Sequence, residues 1–332
     1  MRMAVFGVEE EERPLFEHLA PTYGVEAELH REYISMGYLQ SAQNIGALNV
    51  LSDTIITPQM WDAAHAAGVR FAVTRCVGMA HMNADYARSL GIAVTNVSYS
   101  AASVADYAIM MMLMVLRNVK PILKCYDAQM FTQAGLRGRE LPNLSVGIIG
   151  AGHIGSTVAQ HLQGFGCPVY YWDRKEKPGM AAKYLPLDTL LETCDIVSLH
   201  LALCRETVHF MDEARIGRMK HGSVLINTGR GALVDSSALI SALESGHLSG
   251  AGLDVIDGDQ NIYYRDHKNR IIPSRYKAIL DAMPNVLMLP HLGYLTDQAL
   301  IDMVENSLRA AKAWRDETPD QDTEAAKETH EN

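Results

Sequence analysis

The chain has 332 residues, of which 48% are hydrophobic and 20% charged, with a formal net charge of −10. At roughly 100–200 residues per domain this length suggests two domains, and the aliphatic content excludes disorder for most of the chain. The acidic balance argues against a nucleic-acid surface. The five cysteines, odd in number and without a CxxC pair, read as reduced thiols of a cytoplasmic protein rather than a disulfide frame. Acid follows the first short apolar run, so no signal peptide is expected. The longest apolar stretch, residues 108–116, is far shorter than the ~20 residues of a membrane span.

Short β-like runs alternate with helical patterns, the pattern of an α/β protein with a mostly parallel, doubly wound sheet. Residues 3–7, 47–51, 69–75 and 92–96 predict four strands, with a helix over 58–67. Residues 101–119 form a helical pattern rich in Ala and Met and apolar nearly all round, which predicts burial on several sides or use in a dimer contact. Pro142 and Asn143 then punctuate the chain before a second series. Its strands are expected at 145–149, 168–172, 196–199, 223–227, 250–255 and 286–289, with a helix at 154–165. A last helix, 297–316, is placed on the first domain. The domains are therefore 1–100 plus 297–332, and 101–296. Residues after Asp316 are polar and acidic and are expected to fray.

Between the strand 145–149 and its helix lies Gly150-Ala151-Gly152-His153-Ile154-Gly155, a G-x-G-x-x-G in strand–turn–helix context. Gly150 permits the tight turn, Gly152 lets the backbone approach a pyrophosphate, and Gly155 allows close helix–strand packing. The helix N-terminus offers amides and a positive dipole end to phosphates. The next strand ends at Asp173, 23 positions after Gly150, where a carboxylate accepts a ribose 2′-OH and repels a 2′-phosphate. This favours NAD, although Arg174 and Lys175 leave room for a phosphate. No metal site is read from the sequence.

Three more strands end in polar groups: Asn227-Thr228-Gly229-Arg230-Gly231, Asp254-Val255-Ile256-Asp257-Gly258-Asp259, and Leu289-Pro290-His291-Leu292-Gly293. The carboxyl edge of an open α/β sheet is where ligands bind. The set suits reduction of a 2-keto acid. An arginine holds a planar carboxylate with two prongs. A protonated histidine gives a proton to the carbonyl oxygen, and a nearby carboxylate orients the ring and raises its pKa. Taken singly, Arg230 reads equally well as a surface ion pair, Asp259 as a turn residue and His291 as a capped loop residue.

These motifs resemble the D-isomer-specific 2-hydroxyacid dehydrogenase family and, within it, the D-lactate dehydrogenases, VanH-type enzymes of vancomycin resistance above all. The resemblance runs from about residue 3 to about 315. It rests on GIIGAGHIGSTVAQHLQGFGCPV, DIVSLHLAL, MKHGSVLINTGRGALVD, GAGLDV and MPNVLMLPHLGYLTDQA, with TRCVGMAHMN and VTNVSYSAASVADYA in the N-terminal part. It implies two Rossmann-like domains with an interdomain active-site cleft, an NAD cofactor, a small 2-keto or 2-hydroxy acid substrate, and a homodimer. It also implies that Arg230 binds the substrate carboxylate, that His291 is the acid/base with Asp259 as partner, and that Val77 and Gly78 offer backbone N–H groups. Tyr99 would line the site. Gly152, His153, Ile154, Asp173, Thr228 and Asp254 would touch the cofactor.

Three positions depart from the family pattern. Asp259 stands where Glu is usual. His200-Leu201-Ala202-Leu203 replaces His-Val-Pro-Leu, which is expected to loosen a turn near the adenosine side. Leu51 stands where the lactate enzymes commonly carry Tyr, so substrate size is set by Leu51 or by Tyr294. The reaction this resemblance implies first is pyruvate to D-lactate. The alternatives are bulkier branched or aromatic 2-keto acids and, from another class, an NAD(H)-sensing corepressor-like binding protein.

Overall fold

The computed structural model describes residues 1–52, 55–259 and 262–318, and the chain divides into two compact units. Most of the acidic tail anticipated after Asp316 therefore lies outside the described residues. Unit 1 comprises Met1–Ser100 and the C-terminal segment from Thr296. Its five strands are β1 (Arg2–Val5), β2 (Glu26–Leu29), β3 (Ala47–Val50), β4 (Phe71–Thr74) and β5 (Ala93–Asn96). All pair in parallel in the order β2-β1-β3-β4-β5. Strands β3 and β4 are buried along their whole length, which explains their continuous apolar runs. The edge strand β2, Glu-Ala-Glu-Leu, exposes alternate charges and has no apolar run for a sequence reading to catch.

The helix α12 (Asp297–Glu317) returns to unit 1, where the Thr296 hydroxyl accepts from the Ala299 N–H and caps its start. Its apolar face buries Ala299, Met303, Val304, Leu308 and Ala311. Trp314 stacks on Phe71 of β4 with ring centroids 5.4 Å apart. Ser307, on the same face, accepts from Asn49 Nδ2 at 2.9 Å. A buried polar network continues from there. Arg75 donates to Asn49 Oδ1 (2.8 Å), to Glu12 Oε1 (3.0 Å) and to the carbonyls of Phe6 and Gly7. Every prong of this fully buried guanidinium is thus used, which ties together the carboxyl ends of β1, β3 and β4.

Unit 2 is Ala101–Leu295. Its strands are β6 (Val146–Ile149), β7 (Val169–Trp172), β8 (Lys183–Tyr184), β9 (Ile196–Leu199), β10 (Ser223–Asn227), β11 (Leu248–Leu253) and β12 (Val286–Met288). The order is β12-β11-β10-β9-β6-β7-β8, again all parallel, so the direction of winding reverses between β6 and β9. Separate apolar cores cover the two faces of this sheet.

The long apolar pattern ends earlier than its composition suggests. Helix α5 runs Ala101–Leu116. Asn118 then takes a left-handed conformation (φ 53°), and α6 (Val119–Asp127) leaves at a bend of 63°. Helix α5 is buried within unit 2, its Met111 and Met112 fully covered and its residues packed with the core over β6 and β10. The most exposed apolar side chains of this stretch lie instead on α6 and just beyond it: Leu123, Tyr126, Met130 and Phe131. Among the described residues no single helix is long and apolar enough to cross a membrane.

Candidate active site

The carboxyl edge of the unit 2 sheet collects the polar strand ends. Gly150 follows β6 with φ +98°, and a Cβ there would sit 2.6 Å from the His200 carbonyl. Gly155 faces the Gly150 carbonyl so closely that no side chain fits. Gly152 differs: a Cβ there would meet open space. It caps α7 (His153–Leu162) without any side-chain hydrogen bond, so the first helical amides face outward beside it. Thr228 supplies a second sign of a ligand, for its Oγ1 is buried with no hydrogen-bond partner in the structure. An exposed Gly152 face, uncapped helix amides and an orphaned hydroxyl fit a dinucleotide pyrophosphate and its neighbouring groups.

Asp173 follows β7 as expected. Its carboxylate accepts from the Ala151 N–H (3.0 Å) and the Arg174 N–H (2.7 Å), and Lys177 Nζ lies 3.1 Å from Oδ2. Burial raises its pKa, but these donors outweigh burial and hold it below the usual carboxylate range. The turn over His200–Cys204, which lacks the family's proline, is held by Thr207. The Thr207 hydroxyl accepts from the Cys204 N–H at 2.8 Å and donates to the Ala202 carbonyl at 2.7 Å, clamping the turn.

The loops after β10, β11 and β12 carry Arg230, Asp259 and His291. Asn227 folds its amide over the first loop, donating to the Arg230 carbonyl (2.9 Å) and accepting from the Gly229 N–H (3.0 Å). Gly231 is pressed against the Ile256 carbonyl, an approach that any Cβ would block. Arg230 is thereby held close to the β11 loop, and its charge acts on both Asp259 and His291.

His291 sits in a left-handed conformation, φ +58°. Such a conformation in a non-glycine residue persists only where its surroundings over-determine it. Here Tyr264 donates to the His291 carbonyl at 2.8 Å, while Asp254 accepts from the Leu292 (3.1 Å) and Gly293 (2.9 Å) amides. The Tyr107 hydroxyl also bonds Asp254, whose carboxyl is nonetheless pushed up by burial. Asp254 therefore fixes the loop that carries His291. The sequence places Asp254 at the cofactor and singles out neither Tyr107, which lies within VTNVSYSAASVADYA, nor Tyr264, which stands in no recognisable motif.

The expected Asp259–His291 pairing needs correction. Asp259 Oδ2 accepts from the Ile256 N–H of its own turn at 3.1 Å, and no described hydrogen bond joins it to His291. Burial is the largest influence on its carboxyl, which is pushed up to about 6 against the pull of the Ile256 amide and Arg230. His291 is not raised but lowered, to about 4, first by burial and then by Arg230. One methylene fewer than Glu keeps this carboxylate on its own turn. Asp257, the other acid of the loop, lies 3.0 Å from His209 Nε2. Tyr294 follows in the next turn, its ring 6.4 Å from that of Tyr264.

In unit 1, Leu51 follows β3, Val77 and Gly78 follow β4, and Tyr99 follows β5, all on the carboxyl edge of that sheet. Leu51 is half-buried, and its Cδ1 would lie 3.3 Å from a Cβ on Gly7. Val77 is exposed, and its carbonyl accepts from Asn96 Nδ2 at 2.6 Å.

A doubly wound sheet with this phosphate loop defines a dinucleotide-binding protein. The NAD-binding domain of the D-isomer-specific 2-hydroxyacid dehydrogenases matches residues 109–293. The chain is 39% identical to a D-specific alpha-keto acid dehydrogenase of Enterococcus faecalis, over 93% of this chain and 95% of the relative. It is 32% identical to an aromatic 2-oxoacid reductase of Clostridium sporogenes, over 93% and 94%. The D-lactate dehydrogenase of Aquifex aeolicus, solved with NAD and lactic acid, superposes with a TM-score of 0.85 at 29% identity, covering 96% of this chain and 97% of the other. The chain belongs to the D-isomer-specific 2-hydroxyacid dehydrogenase family.

Proposed function

We propose that this enzyme reduces small 2-keto acids, pyruvate to D-lactate foremost. The reading is carried by one observation: Arg230, Asp259 and His291 stand at one sheet edge, with the arginine's charge acting on both titrating groups. Bound NADH supplies the hydride. Arg230 grips the substrate carboxylate with its fork. His291 gives its proton to the carbonyl oxygen. Substrate binding favours that proton, because a carboxylate on Arg230 offsets the positive charge that disfavours it. Asp259, ionised above about pH 6, adds negative charge nearby.

Unit 2, Ala101–Leu295, is the dinucleotide-binding domain in this reading. Gly150, Gly152, His153, Ile154 and Gly155 hold the pyrophosphate, Asp173 the ribose, and Thr228 and Asp254 the remainder of the cofactor. Residues 1–100 with 297–332 form the substrate domain, which offers the Val77 and Gly78 amides together with Leu51 and Tyr99. The apolar Leu51 supports a second reading, in which bulkier branched or aromatic keto acids are also used. The enzyme is a cytoplasmic homodimer that associates through the exposed Leu123, Tyr126 and Phe131 of the α6 region, and Leu123→Glu should yield monomer in sedimentation. The reaction is tested by NADH oxidation with a panel of 2-keto acids. Turnover should be greatest with pyruvate and fall at least 100-fold in His291→Gln. A variant as fast as wild type would remove His291 from the reaction.

A further inference from the structure

The segment after β7 reads Asp173-Arg174-Lys175-Glu176-Lys177, three cations to two anions. Lys177 is not loose within it. The hydroxyl of the buried Tyr171 accepts from the Lys177 N–H at 2.9 Å and donates to its carbonyl at 3.0 Å, clasping the backbone from both sides. Its ammonium reaches back over the phosphate loop, donating to the Ala151 carbonyl at 2.6 Å and standing 3.1 Å from Asp173 Oδ2. The side chain keeps 43% of its exposure, so the ammonium faces solvent as well as the carboxylate.

A bare carboxylate at this position excludes a 2′-phosphate by like-charge repulsion. Here that charge already has a cation against it, anchored by a buried tyrosine and accessible from outside. We propose that Lys177 sets the limit of the NADH preference: it screens Asp173 and gives its ammonium to the 2′-phosphate of NADPH, which the enzyme accepts as a second cofactor. This rests on the reading that Asp173 faces the adenosine ribose. Asp173 and Lys177 then act in opposite senses. The carboxylate selects for a 2′-hydroxyl, and the ammonium tolerates a phosphate in its place. The competing role is a latch that merely holds the loop, and a latch serves both cofactors alike.

Direct binding to the full-length protein separates the two, with calorimetry of NADH, NADPH, 5′-ADP and 2′,5′-ADP. Lys177→Met should raise Kd for NADPH and 2′,5′-ADP at least tenfold while leaving NADH and 5′-ADP within about threefold. Lys177→Arg should restore the wild-type values. Asp173→Ala should move the other way, tightening the phosphorylated pair and weakening NADH. The retained NADH affinity of Lys177→Met also shows that the variant is folded. Equal loss for both pairs, no change in either, or a wild type that binds neither NADPH nor 2′,5′-ADP would overturn the proposal. If Asp173→Ala shifts the preference and Lys177→Met does not, Lys177 alone is refuted. If neither variant shifts it, the ribose reading of Asp173 has failed and this inference with it.

Discussion

Removing the charge of Arg230 should make His291 easier to protonate. The ring's pKa is pushed down from the ordinary 6.5 to about 4, a fall of about 2.5 pH units. Burial is the larger cause and Arg230 the smaller, so the arginine accounts for less than half of that fall, under ~1.7 kcal/mol. In Arg230→Gln the midpoint should therefore rise to about 5 and stay below 6.5, because burial persists. The assay is a pH titration of the His291 Cε1 resonance in the free enzyme, assigned by its loss in His291→Gln. The same fall has a stability consequence. Between pH 6.5 and 4 the folded chain binds fewer protons at this site than the unfolded chain, so this site's contribution falls as pH falls through that window. Arg230→Gln should shrink that loss. A midpoint that stays put or drops in the variant, or a wild-type ring that titrates near 6.5, would refute the electrostatic account of the site.

The parts of the fold that were legible in the sequence are those whose cause is local. The run over β6, its glycines, α7 and β7 announces itself because turn geometry, close packing and an apolar strand each demand particular residues over a short span. The strand ends bearing Arg230, Asp259 and His291 are legible for the same reason. Strands β2 and β8 are not, since an edge strand or a two-residue strand carries no continuous apolar run. The break after Leu116 depends on a left-handed Asn118, a conformation that many asparagines never adopt. The direction taken by the Asp259 carboxylate was also out of reach. It is decided by a single amide of its own turn, Ile256, and by the shorter side chain. Tyr264 and Lys177 act across loops whose paths no pattern in the chain specifies.

Three further outcomes are expected. Arg230→Lys keeps the charge but loses the fork, and should lower kcat/KM for pyruvate at least 100-fold with NADH affinity little changed; near-normal turnover would place the carboxylate elsewhere. Asp259→Asn should move the fall of reduction rate with rising pH to lower pH. It should also stabilise the fold more at pH 8 than at pH 4, by at most about 3 kcal/mol before solvent screening, since the folded Asp259 retains its proton to about pH 6 and the wild type loses stability as pH rises from the ordinary carboxylate value through that point. Equal effects at both pH values would contradict this assignment of charge. The last outcome concerns substrate size and Leu51. This side chain leaves β3 on the carboxyl edge, where it is half-buried with its Cδ1 beside Gly7. A tyrosine that sends its ring outward along the edge would fill the side where Val77 and Gly78 lie. Leucine leaves that volume free and apolar. Each substrate CH₂ buried in it gains roughly 0.8 kcal/mol, close to fourfold in kcat/KM. Leu51→Tyr should consequently depress activity on 2-ketobutyrate and larger keto acids several-fold more than on pyruvate. Proportionate losses across the panel would show that Leu51 packs the unit 1 core and that selectivity is set by Tyr294 or another side chain.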